Sequence, residues 1–226
     1  MSADIAVITT NDRESRSGDD DIAITPVEFW FDPICPWTWL TSRWLLEVAD
    51  HRPLDIRWRV MSLSLLNDGR EMPQKYVELL HRAWGPVRVL TAAQSRYGDG
   101  VVLPLFDEFG ERYHRQSRDD DDAIIAESLA AIGLPADVAD AAHDNHWDDL
   151  LRESHLAAMA LVGEDVGSPV IMLPDAPGSG AFFGPVVNPV PRGDDALRIW
   201  DGVVALAGTS QFHELKRSRD GEPIID

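Results

Sequence analysis

Val27-Glu28-Phe29-Trp30-Phe31-Asp32-Pro33-Ile34-Cys35-Pro36-Trp37-Thr38-Trp39 carries the only cysteine of the 226-residue chain, Cys35. The apolar run before it, Val27 to Asp32, predicts a short buried strand, since aromatic residues suit a pleated sheet position. The stretch after it, Trp37 to Ala49, predicts a helix with Trp37, Leu40, Trp44 and Val48 along one face, ending before Pro53. Proline is favoured at a first helical position, so Pro36 places Cys35 at the helix N-terminus. Free backbone N–H groups and the macrodipole there favour an anion, and a thiolate is expected near neutral pH. A cysteine can equally be a small buried hydrophobe. Pro36 and the two tryptophans favour the reactive thiol.

Working outward, Leu54, Ile56, Trp58 and Val60 alternate with Asp55, Arg57 and Arg59, the period of a strand. Strand, helix and strand make a parallel unit, with the thiol at the carboxyl end of the first strand, where open α/β sheets bind ligands. From Glu71 to Val162 the pattern turns helical. Tyr76–Leu80, Val87–Tyr97, Val101–His114, Asp120–Ile132 and Trp147–Val162 are punctuated by Gly85-Pro86, Gly98-Asp99-Gly100, Gly133-Leu134-Pro135 and Gly163. Asp119 to Asp122 suit a helix start and lack the spaced oxygens and glycine of a calcium loop. Strand character returns at Pro169–Leu173 and Ala181–Gly184, joined by a loop short enough for antiparallel neighbours. A last helix runs from about Asp194 to Ala207 and closes at Gly208.

This order predicts an α/β, thioredoxin-like fold with an inserted all-helical subdomain. The expected division is a disordered polar leader at 1–25, a first part at 26–66, a helical insertion at 67–164, a second part at 165–215 and a tail at 216–226. In such a fold Ser168-Pro169, opening the third strand, is expected to be cis and to face the thiol.

The bulk numbers narrow the chemistry. Thirty-nine acidic against twenty basic residues give a net charge of −19, which argues against a nucleic-acid partner. No apolar stretch reaches the roughly 18 residues of a membrane helix, so no membrane partner is expected. One cysteine cannot close an internal disulfide, and the first residues lack the basic start and apolar core of a secretory signal, so a reducing cytoplasm is the expected compartment.

The chain resembles the DsbA-like thioredoxin family, and within it the actinobacterial mycothiol-dependent nitroreductase-like branch. The matches are Phe29 to Trp37, Thr41-Ser42-Arg43-Trp44, Val60-Met61-Ser62-Leu63, Arg82 to Arg88, Gly163 to Pro169, Phe182-Phe183-Gly184-Pro185 and Glu214-Leu215-Lys216-Arg217. They run collinearly over nearly the whole chain beyond the leader. The resemblance implies a thiol-dependent oxidoreductase that takes electrons from a low-molecular-weight thiol, mycothiol, as co-substrate. It passes them to disulfides or to small electrophiles such as nitroaromatics.

The family pattern carries a second cysteine where this chain has Thr38. A monothiol route remains: Cys35 forms a mixed disulfide and a second small thiol releases it. Thr38 is expected to offer its hydroxyl to the thiolate. Ser168 and Pro169 would present backbone groups to the bound thiol. Pro36 and Trp37 flank the sulfur, Trp37 by stacking on a flat substrate while Trp39 enters the core. Asn67, and more weakly Tyr76 and His114, are expected as further substrate contacts on the same rim.

His143 and His146 lack a cysteine partner, so no metal is expected. Neither a hydrolase elbow nor a glycine-rich phosphate loop is present, so no nucleotide cofactor is expected. The competing class is a thiol-cofactor transferase or isomerase like the kappa-class glutathione transferases, in which no protein disulfide forms. A non-catalytic binding module is the third. The sequence leaves the oligomeric state open.

Overall fold

A computed structural model describes residues 24–177, 180–218 and 221–225. The expected leader therefore lies almost wholly outside the described residues, and the first strand already begins at its last position, Thr25. That strand, β1 (Thr25–Phe31), is followed by helix α1 (Pro36–Ala49) and strand β2 (Leu54–Val60). β1 and β2 pair in parallel, Phe29 against Trp58 and Phe31 against Val60. Strands β3 (Val170–Met172) and β4 (Ala181–Phe183) complete a sheet of order β2-β1-β3-β4, in which both later pairings are antiparallel.

β1 is thus central, and its alternation serves two cores. Val27, Phe29 and Phe31 enter the larger one, with Trp39, Leu40, Trp44 and Phe106. Trp30 faces the other way, among Met61, Leu66, Ala158, Met159 and Val170. Its indole N–H donates to the Ser154 carbonyl, and the Ser154 hydroxyl donates to the Val60 carbonyl, which seats a later helix on that face.

Between β2 and β3 lie only helices: α2 (Leu63–Leu66), α3 (Gln74–Tyr97), α4 (Val102–Gly110), α5 (Asp121–Ala131) and α6 (Asp148–Val162), with short 3₁₀ turns among them. Two sequence expectations are corrected here. Gly85-Pro86 does not divide two helices, because α3 runs through it. Pro86 withholds one ladder bond from the Arg82 carbonyl but is itself buried. Gly85 beside it lies against Ala142 and Ile125, which a Cβ there would meet at ordinary contact distance, 3.5 and 3.7 Å. The helix expected over 101–114 is α4 followed by a turn of π-helix at Glu111–Arg115. The Asp119–Asp122 run does start a helix: Asp120 is the cap of α5, and Asp121 pairs with Arg82 at 2.7 Å. The last helix, α7 (Gly193–Ala207), packs on α1, where the Trp44 indole N–H donates to the Ala196 carbonyl.

Candidate active site

Four buried side chains from three segments meet at the carboxyl end of β1. Cys35 is the N-cap residue of α1, with Pro36 next in the helix, and only 6% of its surface is exposed. Its thiol donates to the Ser168 carbonyl at 3.7 Å. The Ser168–Pro169 bond is cis, as expected. The Ser168 hydroxyl lies 2.5 Å from the Thr38 hydroxyl and accepts from the Asp32 backbone N–H at 3.1 Å. The loop before β3 is therefore tied to both ends of the thiol's turn.

Asp32 is the residue that sequence reading passed over. It stood in the quoted motif, but nothing in its spacing said where the carboxylate points. It is fully buried, and it accepts from Ile34 N–H at 3.0 Å and from Leu63 N–H, at the start of α2, at 2.7 Å. Burial outweighs those two bonds and raises its pKa from 3.8 to about 7.

The thiol departs from expectation for the same reason. Burial pushes Cys35 above the ordinary cysteine value. The Thr38 hydroxyl and the Thr38 and Trp37 N–H groups pull the other way, while the Asp32 charge adds to the rise. The α1 N-terminus is in place, but desolvation outweighs what these groups contribute. A predominantly ionised resting thiol is therefore corrected to a protonated one.

Trp39 packs in the core, edge-on to Phe106, and Trp37 is half-buried against the same core. His114, on the π-turn, comes to the thiol loop: its Nε2 bonds the Pro33 carbonyl at 2.9 Å, so it holds the loop instead of facing solvent. Burial lowers its pKa to about 4, leaving it neutral and Nε2 the donor. The turn can lie so close because Gly110 has no side chain, since a Cβ there would sit 2.0 Å from the Trp39 ring. Asn67 and Tyr76 are not drawn into this cluster. Asn67 caps the end of α2, where its amide donates to the Leu63 carbonyl, and Tyr76 is 53% exposed on the first turn of α3. Among the described residues no group of three or more His, Cys, Asp or Glu is arranged to hold a metal, and no helix is long and apolar enough to cross a membrane.

A lone thiol at the start of the helix after the central strand, faced by a cis-proline loop, on a sheet interrupted by helices, defines a DsbA-like member of the thioredoxin fold. Solved structures with a similar fold include the following two. The probable DsbA oxidoreductase SCO1869 of Streptomyces coelicolor has a TM-score of 0.54 and 20% identity over 89% of this chain and 94% of that one. A 2-hydroxychromene-2-carboxylate isomerase has a TM-score of 0.50 and 17% identity over 80% and 94%.

The chain belongs to the Rv2466c-like family, described as mycothiol-dependent nitroreductase Rv2466c, whose model matches residues 34–217. It is also 28% identical over 198 residues to the uncharacterized protein Rv2286c of Mycobacterium tuberculosis, covering 87% of this chain and 83% of that one.

Proposed function

We propose that this chain is a monothiol oxidoreductase whose nucleophile is Cys35 and whose electron donor is a low-molecular-weight thiol, mycothiol by the family's description. The observation that carries the reading is the seat of the sole cysteine: N-cap residue of α1, against the Ser168-Pro169 loop, its sulfur 3.7 Å from the Ser168 carbonyl. Cys35 sulfur attacks a disulfide RS–SR′, forming Cys35–S–SR and releasing R′S⁻. A second thiolate RS⁻ then attacks the bound RS sulfur, giving RSSR and freeing Cys35. The sum is RS–SR′ + RS⁻ → RSSR + R′S⁻, so one external thiolate is oxidised for each R′S⁻ released. For a nitroarene two thiols are needed: ArNO2 + 2 RSH gives the nitroso compound ArNO, RSSR and water.

In this reading Thr38 and Ser168 fix the geometry of the thiol turn, and Pro36, Trp37 and Pro169 border the entering group. Asn67 and Tyr76 remain proposed contacts of the outer rim. The stretch 67–164 acts as a helical insertion between the two parts of the sheet domain, at 26–66 and 165–215. A reducing cytoplasm is the place of action.

The test is intact mass after a pulse of oxidised mycothiol. Wild type is expected to gain one mycothiol residue and lose it on adding reduced thiol, whereas Cys35→Ser gains nothing and loses thiol-dependent turnover. The near-complete burial of the thiol favours a second reading, a thiol-cofactor transferase or isomerase in which the protein sulfur never becomes covalent. Turnover by wild type that never carries the adduct would decide for it.

A further inference from the structure

The chain carries 20 lysines and arginines against 39 acids, yet three arginines from three segments line one cavity of about 490 Å³. Arg43 comes from α1, Arg115 from the π-turn and Arg192 from the cap of α7. Trp39, Leu40 and Val190 supply the apolar part of the lining. That volume suits a small organic molecule. Arg43 lies eight residues beyond Cys35 on the same helix, about two turns away, and the thiol is not part of the lining.

Acids line the cavity as well, but each already holds a guanidinium. Asp107 pairs with Arg43 at 2.5 Å, Glu108 with Arg112 at 2.5 Å and Glu111 with Arg115 at 3.2 Å. Arg192 pairs outside the lining, with Glu47 at 2.9 Å. The capacity left over is therefore donor capacity. Among the described residues Arg192 bonds only through Nη1, and Arg43 only through Nε, to the Ser42 hydroxyl, and Nη2, to Asp107. The Arg43 guanidinium is also held in place over the Trp39 ring, 4.0 Å from its centroid. Burial lowers the Arg43 pKa, Asp107 pulls it back only in part, and the Arg192 charge adds to the fall. Two guanidiniums that repel one another beside an open cavity are relieved by an anion between them.

The kind of anion follows from the same lining. A dianion such as phosphate meets three carboxylates and fills little of the volume. A carboxylate carries one delocalised charge, and its two oxygens match the guanidinium fork. We propose that this cavity is a binding site for a small organic monocarboxylate, whose oxygens take N–H groups from Arg43 and Arg192 while its body lies against Leu40 and Val190. The site stands apart from the thiol and does not rest on the monothiol reading.

Saturation-transfer NMR on the full chain tests it, with acetate, 4-hydroxybenzoate and gluconate as probes. Each is titrated beside its neutral amide at constant ionic strength. At least one carboxylate is expected to bind while its amide does not. Arg192 is 60% exposed, so Arg192→Gln is expected to fold as wild type does. It should weaken that carboxylate about tenfold, the loss of one charge-assisted hydrogen bond. Arg198→Gln, which removes an exposed arginine of α7 paired with Asp195, should leave the affinity unchanged. Arg43→Gln should weaken binding as Arg192→Gln does, and if it fails to fold, the Arg192 and Arg198 variants still decide. The proposal is overturned if none of the three carboxylates binds at about 10 mM, a concentration at which even a weak site would show. Equal binding of acid and amide, phosphate binding as tightly as the best carboxylate, or an unchanged affinity in Arg192→Gln would overturn it too.

Discussion

Acidic groups behave in opposite ways in two parts of this molecule. At the end of β1, Asp32 has two good amide donors and still holds its proton to about pH 7. On the outer face of α4 and α5, Glu127 lies open to water between Arg118 and Arg112, and those partners lower its pKa to about 2. Distances do not explain the contrast, since hydrogen bonds near 2.7 Å occur in both places. Water does: the surface carboxylate keeps its hydration and gains guanidinium partners, while the buried one has lost its hydration and gained only dipoles. Stability should therefore respond to pH with opposite sign in the two regions.

The largest expected effect comes from Asp32. Its folded pKa lies above its unfolded value, so its favourable contribution is complete below about pH 4 and is lost as pH rises through about 7. A shift from 3.8 to about 7 corresponds to about 4 kcal/mol in all. Asp32→Asn should remove that decline, which urea midpoints taken between pH 4 and 8 would show. Parallel curves for wild type and variant would break the comparison. Glu127 runs the other way, its contribution present above the ordinary carboxylate value and lost as pH falls through about 2.

Ser168→Ala tests the buried region without touching charge. It leaves the Thr38 hydroxyl and the Asp32 N–H without their partner, at a cost of about 1–3 kcal/mol in unfolding free energy. Arg118→Ala marks the opposite limit. Arg118 bonds both Asp120 and Glu127, yet these pairs are exposed and screened, so its melting temperature should match wild type at 0.15 M salt. A large loss there would mean that the surface network is as influential as the buried cluster.

Much of this plan was legible in the sequence, and the reasons are local. Phe29 to Pro36 reads as strand, thiol and helix start because alternation and the N1 proline are short-range signals. Ser168-Pro169 could be matched to the thiol because the order of strands fixes which loop faces which. Burial is not local. The motif contains Asp32, but its depth depends on α2 arriving with Leu63, and the acidity of Cys35 depends on how completely the loop before β3 covers it. The π-turn was hidden too: only contact with Trp39 makes Gly110 necessary, and only then does His114 reach Pro33. Gly85-Pro86 read as a break because local propensity cannot see the 3₁₀ segment packed against α3.

The hydroxyl contact between Thr38 and Ser168 has one more consequence. It latches α1 to the cis-proline loop through two hydroxyl oxygens. Such a latch carries no redox state. Neither hydroxyl is oxidised or reduced in thiol–disulfide exchange, so the contact itself is not consumed when Cys35 reacts. A protein that closes its active site with a disulfide must rebuild that link on every turnover. In the monothiol function proposed above, the frame and the chemistry belong to different side chains, and only the chemistry turns over.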